Sequence, residues 1–317
     1  MDYRQFSPSQ HSAIKNRKIL VVIFLLLALS PSLVRELLAQ TSPIKMKVGF
    51  YDSNLDPGSQ SALTESMKLW IETVKKHAEY KPLTTSIVET KFYTSNKELY
   101  SDILNKSLDL MNLTAWDFLK YHLDEKVAPI VVASLNEHSK FEKYYLVAKK
   151  GANFDELSSS SNVQISIPKS NSSYLINAWL KVELTEKLGQ NKFKTITILE
   201  TDQNENQTLL AIFFKKTGLT VVREGAYLTA CELNPQIKKG TSIITASDNY
   251  VNYFMAERKG LDPAIHHGII KESLKLPFSV EGKQMLDIMR TEKVFELRLD
   301  ELKETERLFK KYNKLSK

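Results

Sequence analysis

From residue 45 onward the apolar positions fall into two alternating patterns. Lys45–Tyr51 (KMKVGFY), Thr84–Thr90, Leu108–Leu113 and Ala128–Ala133 are short runs rich in β-branched or continuous apolar residues, the pattern of half-buried or fully buried strands. Between them Leu63, Met67, Trp70, Ile71 and Val74 recur at helical spacing, as do Leu99, Ile103 and Leu104 within 96–106. A short helix is predicted over Trp116–Tyr121. After an extended segment, Phe141–Ala148, and a serine-rich polar loop, 155–162, the alternation restarts. Strands are predicted at Val163–Ile167, Thr195–Leu199, Leu219–Val222 and Ser242–Thr245, with helices at Tyr174–Leu188, Gln207–Phe214 and Tyr227–Leu233. Tyr250–Glu257 is extended again. Asp262–Pro263 then opens a helix with a capping carboxylate and a proline in the first turn. Two further helices, 279–289 and 301–314, end the chain. Strand–helix alternation repeated twice predicts an α/β protein with open, largely parallel sheets.

The first 39 residues follow a different rule. A polar stretch ends in Lys15, Arg17 and Lys18, and Ile19–Leu29 (ILVVIFLLLAL) is uninterruptedly apolar before Ser30 and Pro31 break it. Leu38–Ala39 supplies a small residue for cleavage, so residues 1–39 are expected to be a secretory signal peptide. The alternative is an uncleaved anchor over residues 19–34, although eleven apolar residues are short beside the ~20 that span a bilayer.

Composition narrows the function. The 317 residues are 42% apolar and 26% charged, with a net charge of +7. Without residues 1–39 the balance is 39 basic to 35 acidic, interspersed, so no nucleic-acid partner is expected. The single cysteine, Cys231, excludes an internal disulfide framework and multi-cysteine metal sites. Adjacent His266 and His267 point apart on a helix, and no nucleophile elbow, P-loop or dinucleotide glycine pattern occurs. No catalytic residue, metal or cofactor is predicted.

Binding chemistry is better represented. In Ile165–Tyr174 (ISIPKSNSSY) a strand ends and a helix begins, and Ser170, Asn171, Ser172 and Ser173 crowd its first turn. Unpaired helix N–H groups there suit an oxyanion, and one serine acting only as a cap suits the residues equally well. Glu205, in the loop 202–208 between strand and helix, is either a ligand contact or a turn residue. Arg223 at a strand end is either a bidentate clamp for an anion or half of a surface Arg–Glu pair. Asn112, Thr114, Trp116 and Asp117 can wall the same cleft, and Tyr51 can stack on a ligand or pack in the core.

The order of KVGFYDS, YSDILNKSLDLMNLTAWDFLK, IPKSNSSYLINAWL and GLDPAIHHGIIKESL resembles the phosphonate/phosphate/phosphite substrate-binding proteins of ABC transporters. The resemblance covers residues 45–310. It implies a bilobal type II periplasmic-binding-protein fold, two open α/β sheets joined by two hinge crossings near Phe141 and Tyr250. Lobe 1 would hold 45–137 plus 248–317, and lobe 2 138–247. It further implies a secreted, periplasmic or extracytoplasmic monomer that closes on a small anionic ligand and presents it to an ABC permease, with Ser170–Ser173 gripping the oxyanion. Three positions depart from the family pattern. Ser173 stands where a glycine is common, no histidine lies near Glu205, and Asn112–Leu113–Thr114 replaces a tryptophan–aromatic–glycine run. The alternative reading is a sensory or partner-binding module that kept the bilobal fold without transport. An enzyme on a similar fold would need a cysteine or histidine cluster the sequence lacks.

Overall fold

The computed structural model describes residues 44–51, eight helical residues between 64 and 76, and 86–136, 138–160, 162–168, 173–215, 218–288 and 291–316. The segment 1–39 and Ser170, Asn171 and Ser172 lie outside the described residues, as do Leu63, Met67, Trp70 and Val74.

In chain order the elements are β1 Lys45–Tyr51, β2 Ile87–Tyr93, α1 Asn96–Leu104, β3 Leu110–Thr114, α2 Ala115–Lys120, β4 Val127–Ser134 and β5 Tyr144–Lys149. They continue with α3 Phe154–Ser159, β6 Val163–Pro168, α4 Ser173–Leu188, α5 Gln190–Phe193, β7 Ile196–Thr201 and α6 Glu205–Lys215. The remainder is β8 Leu219–Arg223, α7 Glu224–Leu233, α8 Pro235–Gly240, β9 Thr241–Ala246, β10 Tyr253–Arg258, α9 Pro263–Lys275, α10 Val280–Ile288, β11 Lys293–Glu296 and α11 Lys303–Leu315.

The strands form two sheets, a six-stranded one in the order β11-β4-β10-β3-β1-β2 and a five-stranded one in the order β7-β6-β8-β5-β9. Each is mixed, which corrects the expectation of largely parallel sheets. β1, β2 and β3 run parallel, as do β6, β7 and β8. β10 joins β3 and β4 antiparallel, and β5 joins β8 and β9 antiparallel. β11 pairs antiparallel with β4 at the sheet edge, and the antiparallel strands β5 and β10 are those by which the chain enters a sheet from the other one. Such a strand runs against those built by helical crossovers within the sheet.

Local chemistry explains the elements that position the site. β5 is almost wholly buried and reads as a continuous apolar run, while β6 (VQISIP) alternates, burying Val163, Ile165 and Ile167 and leaving Gln164 exposed. α4 buries Leu175, Ile176, Ala178, Trp179, Leu180, Val182 and Leu184 against them. Each of the leucine, isoleucine and valine side chains contributes roughly 1.5–3 kcal/mol of transfer free energy. Gly189 follows α4 at φ 85°, a positive φ that a Cβ disfavours. α9 starts as expected, the Asp262 carboxylate accepting from the Ala264 N–H at 2.7 Å ahead of Pro263.

The serine-rich loop is shorter than expected, since α3 occupies its first half with Asn153 as cap. Ser159 and Ser160 hydroxyls donate to the carbonyls of Asp155 and Glu156 and close that helix. β11 was not predicted, being four residues at a sheet edge with little periodicity.

The two segments linking the sheets pair with each other. Glu142 and Tyr250 exchange both backbone hydrogen bonds, each at 2.8 Å. α11 lies across this junction. The Thr305 hydroxyl accepts from the Val251 N–H at 2.9 Å, and Leu308 packs into the core formed around Tyr144, Leu175 and Trp179. Lys311 pairs with Glu186 of α4 at 3.0 Å.

Candidate functional site

The parallel strands of each sheet end at one edge, and β3, β7 and β8 pass there into helices. In the five-stranded sheet Pro168 of β6 is in register with Thr201 of β7, and β8 runs alongside to Arg223. In the chain these strands are followed by α4, α6 and α7. Ligands of open α/β sheets bind outside such carboxyl ends. The start of α6 is fixed by a reciprocal cap: the Asn204 N–H donates to the Gln207 side chain, and the Gln207 N–H to Asn204 Oδ1, both at 2.9 Å.

With that cap in place the side chain of Glu205 is directed across the edge to Arg223. Its Oε1 accepts from the Arg223 backbone N–H at 2.7 Å, and its Oε2 from Nε at 2.9 Å and NH2 at 2.6 Å. Burial works against the Arg223 charge, and the adjoining carboxylate outweighs it, leaving the guanidinium pKa raised. Of the two readings of Arg223, the ion pair is observed, and its partner is Glu205, eighteen residues earlier. The neighbouring Glu224 instead pairs with Lys143 at 3.1 Å and accepts from the Tyr145 hydroxyl. The expected clamp for an external anion is therefore held by the protein's own carboxylate.

In the six-stranded sheet the corresponding edge carries Tyr51 and Thr114, the last residues of β1 and β3. Asn112 ties the strand ends together: its Oδ1 accepts from the Tyr51 N–H at 2.8 Å and its Nδ2 donates to the Tyr51 carbonyl at 3.3 Å. Thr114 caps α2, its hydroxyl accepting from the Asp117 N–H at 2.9 Å and donating to Asp117 Oδ2 at 2.8 Å. Thr114 is thus a buried residue that caps α2. Tyr51 and Asp117 gather beside Tyr100, whose phenol is pushed up by burial first and by Asp117 next.

The two edges meet through aromatic side chains. Trp116 of α2 stands edge-on to Tyr174 of α4 at 6.0 Å between centroids, and to Phe309 and Tyr312 of α11 at 5.0 and 5.3 Å. Tyr174 donates its hydroxyl to Asn252 Oδ1 at 2.6 Å, and Asn252 Nδ2 donates to Glu142 Oε1 at 3.2 Å. The other Glu142 oxygen accepts from the Tyr144 hydroxyl. A chain of polar contacts thus runs along the paired crossings between the sheets.

Of the residues expected at a binding site, Glu205 and Arg223 are brought into contact, Tyr51 is tied to Asn112, and Trp116 packs into the aromatic junction. Ser173 is the buried first residue of α4. Glu142, Asn252 and Tyr100 were not singled out, because nothing local marks them; only the pairing of distant segments brings them to the junction. Among the described residues no three histidine, cysteine or acidic side chains cluster as metal ligands, and no helix is long and apolar enough to cross a membrane.

The model of a phosphonate ABC-transporter periplasmic substrate-binding family matches residues 57–302. No curated protein matches the chain. Solved structures agree in fold. A Xanthomonas citri protein solved with chloride superposes with a TM-score of 0.55 at 10% identity, over 86% of this chain and 98% of that one. PhnD1 from Prochlorococcus marinus, in complex with methylphosphonate, gives 0.51 at 17% identity, over 86% and 100%. A binding-protein component of an ABC phosphonate transporter from Pseudomonas aeruginosa gives 0.50 at 12% identity, over 87% and 88%.

Proposed function

The chain belongs to the periplasmic substrate-binding proteins of phosphonate ABC transporters, and we propose that it captures a small anionic, phosphonate- or phosphate-like solute between two lobes and hands it to an ABC permease. Lobe 1 is read as 45–137 plus 248–317 and lobe 2 as 138–247, α11 lying across both. The observation that carries the reading is the convergence of strand ends. β1 and β3 from one sheet and β6, β7 and β8 from the other bring their carboxyl ends toward either side of the Trp116–Tyr174 contact. That is the crevice in which this fold type takes ligands. Residues 170–173, whose sequence suits an oxyanion, come between β6 and the first turn of α4 in the chain. A monomeric binding protein that closes about the paired crossings at Glu142 and Tyr250 fits this arrangement. Family membership sets it outside the cytoplasm, in keeping with a secretory signal at 1–39.

A thermal-shift screen of phosphate, phosphite, phosphonates, sulfonates and small carboxylates tests the proposal, since a ligand of the native state raises Tm by mass action. Calorimetry on the best of them should then show Ser170→Ala/Ser172→Ala weakening binding by ~1–3 kcal/mol. No stabilising anion, or an unweakened double variant, removes the solute-binding assignment or the seat respectively.

One observation favours the second reading, a sensory or partner-binding module on the same fold: Arg223 already holds a protein carboxylate. Such a module would show no stabilising anion in the same screen.

A further inference from the structure

The Arg223–Glu205 contact has the geometry of a bound ligand. A carboxylate or phosphate arriving from solution would place one oxygen on the strand-end amide and another on the guanidinium fork. Glu205 does both: Oε1 on the Arg223 N–H, Oε2 on Nε and NH2. The side chains are mostly buried, Glu205 16% and Arg223 33% exposed, so their attraction is poorly screened. The carboxylate is also intramolecular. It comes from the first turn of α6, whose start is set independently by Asn204 and Gln207. A tethered competitor acts at an effective concentration of roughly millimolar or more, which a dilute solute does not match.

We propose that Glu205 is a specificity-determining residue that occupies Arg223 as an internal counter-anion, so that this corner of the crevice receives the uncharged or cationic part of a ligand and rejects an anionic one. The inference rests on the solute-binding reading for its setting and deepens it, since it says which wall an anionic group does not use. The negative charge of Glu142 is also felt at Arg223 and adds to the exclusion.

The experiment titrates inorganic phosphate by calorimetry into the full chain and into Glu205→Gln, Glu205→Ala and Glu205→Gln/Arg223→Gln. Freed of its partner, Arg223 should bind phosphate at least tenfold more tightly in both single variants than in the wild type, and the double variant should lose the gain. Equal affinities in wild type and single variants, or a gain that survives Arg223→Gln, overturn the proposal. The wild type supplies a check that needs no variant to fold: its Arg223 Nε–H resonance should stay unmoved as phosphate is added, and a shift overturns the proposal. Should the wild type bind no anion of the screen while Glu205→Gln gains phosphate, solute binding fails and the internal counter-anion stands. Should the wild type bind a small anion tightly and the Glu205 variants add nothing, the reverse holds.

Discussion

Tyr174 and Asn252 are 78 residues apart in sequence and joined by a 2.6 Å hydrogen bond from the phenol to the amide oxygen. The phenol sits on the first turn of α4, and the amide on the second crossing between the sheets. One bond thus fastens a helix of the five-stranded half to the strap that leads into the six-stranded half. Burial holds the Tyr174 phenol protonated far above its ordinary range, with neighbouring Tyr253 and Glu142 adding to the shift.

Tyr174→Phe should therefore lower stability by ~1–3 kcal/mol, because the buried Asn252 oxygen loses its donor. Chemical denaturation measures this. A loss below a few tenths of a kcal/mol would mean that solvent replaces the phenol and the bond contributes nothing.

Trp116→Ala should loosen α11. The indole touches Tyr174, Phe309 and Tyr312 at once, and full burial of such a ring is worth ~3–5 kcal/mol on truncation. Trp116 is only half-buried, so a loss of about 2 kcal/mol is expected, with faster amide exchange in Lys303–Leu315. Unchanged exchange in that helix would show that its packing on α4 alone fixes it.

Thr114→Val should cost about 1 kcal/mol, the usual value of an N-cap, since the Asp117 N–H loses its acceptor. Thr114→Ser keeps the oxygen and should restore most of it. If Thr114→Val left stability intact and weakened solute binding instead, Thr114 would be a ligand contact after all.

Asp102 makes a pH prediction. Hydrogen bonds from Lys91 and then Tyr93 hold its carboxyl below the ordinary carboxylate range despite partial burial. A folded-state pKa below the unfolded one means that the native state binds fewer protons. The contribution is thus fully present above about pH 4, the ordinary Asp value, and is lost as pH falls through the depressed one. Stability of Asp102→Asn should fall less steeply than wild type on acidification below pH 4. Parallel curves for the two proteins would show that Asp102 does not supply the slope.

Much of the fold was legible in the chain. α4 begins one residue from its expected start and ends at Leu188, and Asp262–Pro263 opens α9 as expected. These outcomes depend on spacing, caps and glycines within a few residues of one another. β2 is displaced by three residues from its expected span, because strand ends are set by what pairs with them, here β1 in register from Lys45↔Ile87 to Tyr51↔Tyr93. The site was legible as a set of residue types at strand ends and illegible as a set of contacts. Asn112, read as part of a cleft wall, bridges β1 and β3, and Thr114 caps a helix.

The amino-acid order by itself determined the alternating elements and the polar turns between them, since propensity, periodicity and capping act over a few bonds. Only tertiary structure decided that the strand from each crossing enters its sheet antiparallel, that Glu205 instead of Glu224 holds Arg223, and that Tyr174 reaches Asn252. The two side-chain contacts join residues 18 and 78 apart, and their strength depends on burial and distance that no local pattern encodes.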